Sequence, residues 1–406
     1  MSRTRVVITG IGLATPIGHT LRACSGALRE DRHAIVSMPE WADVQHLQTR
    51  LAAPIKNLAL DYPRKKTRTM GRVALLSLYA TEQALKEAGL DEGALTCGNV
   101  GVAYGSTSGS SSANEEWSRK MFSRGLAGVQ STEYIKFMSH TCAANLAIYY
   151  GITGRVISTC SACVSSSQAI GQAYEAIRAG VQDVMIAGGA EEMHFSHAAI
   201  FDIMFAASRK NDQPELTPRP FDKGRDGLVI GEGAGTLVLE SYEHARARGA
   251  HIYAELLGYG TNCDGTHVTN PSATGMAGAM RLALKDAQLP ADKIDYINAH
   301  ATATEVGDIA ESRATAEVLG AHVPISSTKS FTGHTLGACG AIEAAFCIAM
   351  MQEGFLAPNR TLDHVDERCA RLDYISKEPR AAKPRITMSN NFAFGGINTS
   401  LILGLP

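Results

Sequence analysis

The sequence predicts an α/β fold with mostly parallel pairing in its crossover units, and three observations predict it. Short apolar, β-rich runs alternate with longer helical patterns along the whole chain. Each half opens on a strand running into a G-x-G, VVITGIG at the start and ELLGYG at 255–260, which signals an internal duplication. The long helical patterns are rich in Ala and Gly and nearly free of charge, as expected of helices buried all round between two sheets.

In chain order, Val6–Thr9 is predicted as a buried strand. The pattern from Thr69 to Ala88 is helical and meets a helix-ending glycine at Gly89. Val100–Tyr104, Val156–Ser158 and Val184–Ala187 are predicted strands. Between the last two, Cys163–Ala179 reads as a helix stopped by Gly180. The second half repeats the theme with a strand at Ala254–Tyr259, a helix at Met276–Ala287 and a strand at Ile294–Ala299. Helices follow at Asp308–Leu319 and Leu336–Met351, and strands at Ile386–Asn390 and Thr399–Leu403 close the chain. The division between halves falls near residue 250, giving an N-terminal half 1–250 and a C-terminal half 251–406. No Pro/Ser-rich linker separates them, so one fused body is expected.

The composition narrows the function. The chain has 406 residues, enough for a large core without disulfides or metals. Lys+Arg is 38 against Asp+Glu 40, a net charge of −2, so nucleic acid is not the expected partner. No apolar run of roughly 18–20 residues predicts a membrane span, and the N-terminus lacks the long apolar region of a signal peptide. Nine cysteines without paired C-x-x-C spacing argue against a disulfide scaffold or a zinc ribbon, and a cytoplasmic location is expected.

Four stretches carry chemistry. Cys163, in VISTCSACVSSSQAIG, stands between a buried strand and a buried helix, where main-chain N–H groups and the helix dipole lower a thiol pKa. The alternative is a small buried core cysteine. Cys160 is the competing nucleophile, though the strand end favours a structural role for it. His300 ends the apolar strand in DYINAHATAT, at the sheet edge where α/β proteins place their sites. Lys329 and His334 lie in the Gly/Thr-rich SSTKSFTGHTLGACG, and a lysine there needs a partner if buried. Glu343 is the only charge from Leu336 to Met351 and requires a cationic partner, a bound cation or a proton. Gly395 and Gly396 in NNFAFGGINTS suggest a tight turn with N–H groups free to face a ligand. The N-terminal ITGIGLATPIG lacks the third glycine of a dinucleotide fingerprint, which argues against nicotinamide binding.

Taken in order, VVITGIGLATPIG, RPFDKGRDGLVIGEGAG, HVTNPSATG, GHTLGACG and NNFAFGGINTSLIL resemble the β-ketoacyl-ACP synthases of types I and II, in the thiolase superfamily. The resemblance spans essentially the whole chain. It implies a thiolase-like five-layered αβαβα fold from two duplicated halves, in a homodimer or a heterodimer with a related subunit. It implies no bound cofactor, the substrate being carried on the phosphopantetheine arm of an acyl carrier protein. Cys163 would take the acyl group, and the N–H groups of Cys163 and Phe394 would form an oxyanion hole. His300 and His334 would hold the malonyl thioester oxygen, with Lys329 balancing charge. Thr302 and Thr304 would bind the pantetheine arm; Thr269, Thr107, Met138 and Leu228 would line substrate, Met138 across the dimer. Lys65, Arg68 and Arg124 would receive the acidic carrier protein. Glu343 with Glu311 is read as the holder of an internal cation.

Departures from the family pattern are Ala301 in HATAT, Ala393 before Phe394, Leu228 for a phenylalanine and Ala127 for a basic residue. They suggest a specialised acyl chain, and RLAAPI…YPRKKTRTMGRVALLS is similar to synthases of aryl-polyene clusters. Cys163 with two histidines argues against a chain-length-factor subunit. A thiolase would need a second cysteine where Phe394 stands, and His334 argues against a type III synthase.

Overall fold

The computed structural model describes residues 4–406. Its elements are β1 (Val6–Ala14), α1 (Arg72–Ala88), β2 (Val100–Gly105), α2 (Ser111–Arg124), α3 (Thr141–Tyr150), β3 (Val156–Thr159), α4 (Ser165–Arg178), β4 (Val184–Glu191), α5 (Phe195–Ile203) and β5 (Gly233–Ser241) in the first half. The second half has β6 (Ala254–Cys263), α6 (Ala273–Ala287), β7 (Tyr296–Asn298), α7 (Glu305–Leu319), β8 (Pro324–Ser326), α8 (Cys339–Glu353), β9 (Asp373–Tyr374), β10 (Ile386–Phe392) and β11 (Ile397–Gly404).

Strand pairing follows the order β9-β8-β7-β10-β11-β6-β1-β5-β4-β2-β3. Read outward from the centre, the halves run β1-β5-β4-β2-β3 and β6-β11-β10-β7-β8. In each, the first strand pairs antiparallel with the last, the last antiparallel with the one before it, and the remaining pairings are parallel. That shared topology is the duplication anticipated from the two strand–G-x-G openings. The openings themselves meet, since Val6–Ile8 of β1 pair with Ala254–Leu256 of β6. By hydrogen bonding the two sheets join at β1 and β6 into one continuous eleven-stranded sheet.

The layers follow from where the apolar helices sit. α4 touches β4 and β2 on one side and β6 and β11 on the other, and α8 likewise touches β5 and β10. Both are thus central. α1 covers β1 and β5 from outside, and α6 covers β6 and β11. The result is helix, sheet, helix, sheet, helix. Close approach across the centre depends on Gly171 of α4, where a Cβ would lie 2.2 Å from the Tyr259 ring of β6.

The segment Leu336–Glu353 is long and apolar enough to cross a membrane by length and composition, which the sequence reading did not allow for. It is 89% buried inside the fold and is the central helix of the core. Further differences have simple causes. β3 is not buried but lies at the sheet edge, with Val156 half exposed. The predicted helix at Cys163 begins as a tight 3-10 turn over Ala162–Val164. β5 has no counterpart among the predicted strands: only Gly233–Gly235 lie in the Gly-rich RPFDKGRDGLVIGEGAG stretch, and TLVLES beyond it is assigned no element. All nine cysteines are free thiols.

Candidate active site

Cys163 sits in a turn forced tight by its neighbours. β3 ends at Thr159, and Ala162 takes φ +47, a left-handed conformation rare for a residue with a Cβ. Ser165 at the start of α4 fixes the turn: its Oγ accepts from the Ser161 N–H at 2.9 Å and donates to the Ala162 carbonyl at 2.7 Å. Cys163 is left 6% exposed, its Sγ 2.9 Å from Nε2 of His334. Cys160 is exposed and its thiol is spent on the Thr107 carbonyl at 2.9 Å.

His300 follows β7. Its ring stands perpendicular to that of His334 with centroids 5.1 Å apart. The reactive atoms of Cys163, His300 and His334 all lie within 4.8 Å of one another. The loop carrying His300 is held by two carboxylates one turn apart on α7. Glu311 accepts the N–H groups of His300 and Ala301 at 2.9 and 2.7 Å, and Asp308 accepts that of Ala303 at 3.1 Å. Ala303 has φ +67, whereas Ala301 and Ala393, the two substitutions for glycine, are not in the left-handed region. Ala393 continues the β10–β11 ladder, its N–H on the Ile397 carbonyl at 2.8 Å. Neither alanine is strained.

Lys329 is fully buried and paired with Glu343 of α8, whose second oxygen accepts from Asn391 Nδ2 at 2.7 Å. Burial opposes the Lys329 charge, but Glu343 together with Cys339 and Glu311 outweighs it and holds the pKa above the ordinary lysine value. Glu343 has Lys329 as its cationic partner, whereas Glu311 accepts two main-chain N–H groups and burial pushes its pKa up to about 8.

The electrostatics also correct the expectation of a low thiol pKa. Burial pushes the Cys163 thiol up to about 12, with Lys329 pulling the other way. Burial and then Lys329 hold both His334 and His300 well below the ordinary histidine value, so both rings are neutral at pH 7. The resting pair is a thiol beside a neutral imidazole, with His334 Nε2 within reach of the thiol proton.

A cavity of about 410 Å³ opens over these groups. Its wall includes Cys163, His300, His334, Thr302, Thr304, Thr269, Leu228 and Phe394. The hydroxyls of Thr302 and Thr304 are 3.1 Å apart, Leu228 is buried, and Thr269 is exposed at the mouth. Phe394 lies with its ring 5.7 Å from that of Phe201. Gly395 and Gly396 both have positive φ, and a Cβ on Gly396 would lie 2.4 Å from Asp264. The Gly395 N–H is not free for a ligand, because it donates to the Val268 carbonyl at 2.7 Å.

Two expected substrate contacts lie elsewhere. Thr107 is outside the cavity wall, its N–H and Oγ1 both bound to Glu191 at 3.0 and 2.6 Å. Met138 is exposed and takes no part in the cavity of its own chain. Lys65 and Arg68 are exposed at a short helical turn, Arg64–Thr67, and Arg124 is exposed at the end of α2. Sequence reasoning missed the roles of Asp308, Glu191, Asn391 and Phe201. Of these, Asn391 stood in a singled-out motif.

Comparison with known proteins agrees with this geometry. Residues 3–245 match the family described as "Beta-ketoacyl synthase, N-terminal domain", and residues 253–363 match "Beta-ketoacyl synthase, C-terminal domain". The chain is 39% identical to 3-oxoacyl-[acyl-carrier-protein] synthase 1 of Escherichia coli K12, over 98% of each chain. It superposes with a TM-score of 0.97 on a crystal structure of a beta-ketoacyl synthase from Burkholderia phymatum, at 52% identity over 99% of this chain and all of that one. A structure titled the ishigamide ketosynthase/chain length factor matches at TM-score 0.92 and 32% identity, over the full length of both.

Proposed function

Since the chain belongs to the β-ketoacyl synthase family, acyltransferases that work on carrier-bound acyl chains, we propose that it performs decarboxylative condensation with Cys163 as nucleophile. The observation that carries this reading is the 2.9 Å contact between Cys163 Sγ and His334 Nε2, with His300 at right angles to His334 beside it.

In the first step the Cys163 sulfur attacks the thioester carbonyl of an acyl carrier protein. Its proton passes to His334 and then to the departing pantetheine thiolate. The tetrahedral oxyanion is received by main-chain N–H groups at Cys163 and Phe394, both in the cavity wall. In the second step malonyl carrier protein enters and loses CO2. The two imidazoles, kept neutral by burial first and by the nearby Lys329 second, donate hydrogen bonds to the enolate oxygen. The enolate carbon attacks the acyl carbonyl, the C–S bond to Cys163 breaks, and a β-ketoacyl chain two carbons longer leaves. Thr302 and Thr304 hydrogen-bond the pantetheine arm, while Lys65, Arg68 and Arg124 receive the acidic carrier.

The chain works in a dimer, with itself or a related subunit. The exposed edge strand β3, with Val156, Met138 and Ile148 uncovered near it in sequence, supports this. We place it in specialised polyene or polyketide elongation rather than housekeeping fatty-acid elongation. A structure titled as a type II PKS acyl-carrier protein in complex with its ketosynthase, matched at TM-score 0.90 and 30% identity over the full length of both, supports the polyketide part of that placement.

The test is intact-protein mass spectrometry after mixing with saturated, polyunsaturated and aryl-primed acyl carrier proteins. Wild type gains the acyl mass and Cys163→Ala does not, while His300→Ala still acylates but loses condensation by about 10²–10³-fold. Condensation by Cys163→Ala would refute the assignment.

A further inference from the structure

The loop that carries His300, Thr302 and Thr304 is tied down by its main chain, and its last tie comes from the other half of the molecule. Glu311 holds the N–H groups of His300 and Ala301, the Ser327 hydroxyl donates to the Ala301 carbonyl at 2.8 Å, and Asp308 holds the Ala303 N–H. These three side chains belong to the second half. The carbonyls of Thr304 and Glu305 accept instead from Arg225 of the first half, through Nε at 3.1 Å and Nη2 at 2.7 Å. The remaining nitrogen, Nη1, donates to the Asp222 carbonyl at 2.8 Å and to Asp366 Oδ2 at 2.7 Å.

The Arg225 side chain is 2% exposed and lies outside the cavity wall. Nor is it placed to stabilise α7. Thr304 is the N-cap of that helix, and a cation there stands at the unfavourable end of the helix dipole. Asp366 offsets the charge, and Asp308 lies 3.9 Å from Nε. What the planar fork does is fix two successive carbonyls. Ala303, just before them, has φ +67, a conformation that its surroundings must enforce. Ties on both sides of Ala303 therefore set the spacing of its neighbours, whose hydroxyls lie 3.1 Å apart, both residues lining the cavity. The Thr304 hydroxyl makes no capping bond to α7 and meets Thr302 instead.

We propose that Arg225 is a positioning residue for the grip on the pantetheine arm: by holding the Thr304 and Glu305 carbonyls it sets where the two threonine hydroxyls stand in the cavity. The proposal rests on the reading that Thr302 and Thr304 hydrogen-bond that arm. Arg225 acts through the loop and touches neither substrate nor the reacting atoms. A lysine keeps the charge but has a single nitrogen, which cannot span the Thr304, Glu305 and Asp222 carbonyls and Asp366 together. With the fork lost, the loop relaxes around Ala303, and the arm rather than the acyl group loses its hold.

The experiment compares two thioesters of the same acyl group, one on pantetheine and one on ethanethiol, which has no arm to grip. Transfer to Cys163 is read by intact mass, and the ratio of the two kcat/KM values is taken for each protein. Wild type is expected to favour the pantetheine thioester. Arg225→Lys is expected to lower that ratio about tenfold, chiefly through KM for the pantetheine thioester. Thr302→Val/Thr304→Val is expected to lower it likewise, and adding Arg225→Lys to that pair to lower it no further. General damage to the fold slows both thioesters alike and leaves the ratio where it was, which would overturn the proposal. Should Arg225→Lys not fold, Asp366→Asn loosens the guanidinium from its other side and is expected to lower the ratio severalfold; an unchanged ratio there overturns the proposal equally. A wild-type ratio near one, or a ratio that the threonine variant leaves intact, refutes the pantetheine reading of the threonines and the proposal with it. A ratio that falls in the threonine variant but not in Arg225→Lys refutes the proposal alone.

Discussion

Glu311 holds His300 by the main chain rather than by the ring. One carboxylate oxygen accepts the His300 N–H at 2.9 Å, and the other accepts the Ala301 N–H at 2.7 Å. Both donors belong to buried residues, so loss of the carboxylate removes the acceptor of each. Glu311→Ala is expected to cost about 1–3 kcal/mol of stability in denaturant unfolding. It should also lower condensation by tenfold or more while acylation of Cys163 falls less, because His300 and not Cys163 loses its support. Single-turnover assays of the two half-reactions read the difference, and an equal fall in both would sink this account.

The buried pair Lys329–Glu343 makes a second prediction. Lys329→Met alone leaves a carboxylate stranded in the central layer and should cost about 3–5 kcal/mol. The double variant Lys329→Met/Glu343→Leu removes both charges and should regain most of that stability without regaining condensation. Urea midpoints and product formation, measured on the same preparations, test the two halves of the statement separately.

Glu191 gives the pH dependence. Its Oε2 accepts from Thr107 and from the Gly337 N–H, its Oε1 is unpartnered, and burial pushes its pKa up to about 7. A carboxyl raised on folding is most stabilising when protonated. Its contribution is therefore full below the unfolded value near 4.5 and is lost as pH rises to about 7. Relative to wild type, Glu191→Gln should lack this loss, a difference on the order of 2 kcal/mol between pH 4.5 and 7.5. Chemical unfolding at both pH values, wild type against variant, isolates the effect from other groups; parallel slopes would contradict it.

Lys65 and Arg68 are exposed beside each other on one short helical turn. If they receive an acidic carrier protein, Lys65→Ala/Arg68→Ala should raise KM for the acyl carrier severalfold with kcat little changed, and should flatten the salt dependence. A free pantetheine thioester, which lacks the carrier, should be processed equally by wild type and variant. A loss with both substrates would point instead to damage at the cavity.

Much of the fold was legible because its strands are apolar runs and its helices end at glycines. Gly89 and Gly180 take positive φ where the sequence placed helix stops. Cys163, His300 and His334 stood out as candidates through their small and hydroxylic neighbours, and the family resemblance singled them out. What escaped depends on residues distant in sequence. Nothing local in EVGDIAESRATAEVL says that Glu311 turns back to cap the loop of His300, or that Asp308 joins it. The partner of Glu343 could not be chosen until α8 was set against the turn carrying Lys329. The thiol pKa was misjudged because the dipole argument was applied without the burial that opposes it. The position of β3 was hidden because VIST reads alike at the centre or the edge of a sheet.

That edge has a consequence for how much of the protein a cell can hold alone. β3 pairs on one side with β2 and carries an open row of main-chain donors and acceptors on the other, with Val156 uncovered. A copy without a mate keeps that row in water, where it can template further strands. Under the proposed dimer, supply of the chain and supply of its mate are thereby coupled. An imbalance in synthesis, with no change to either sequence, would show first as turnover or insolubility of the surplus copies.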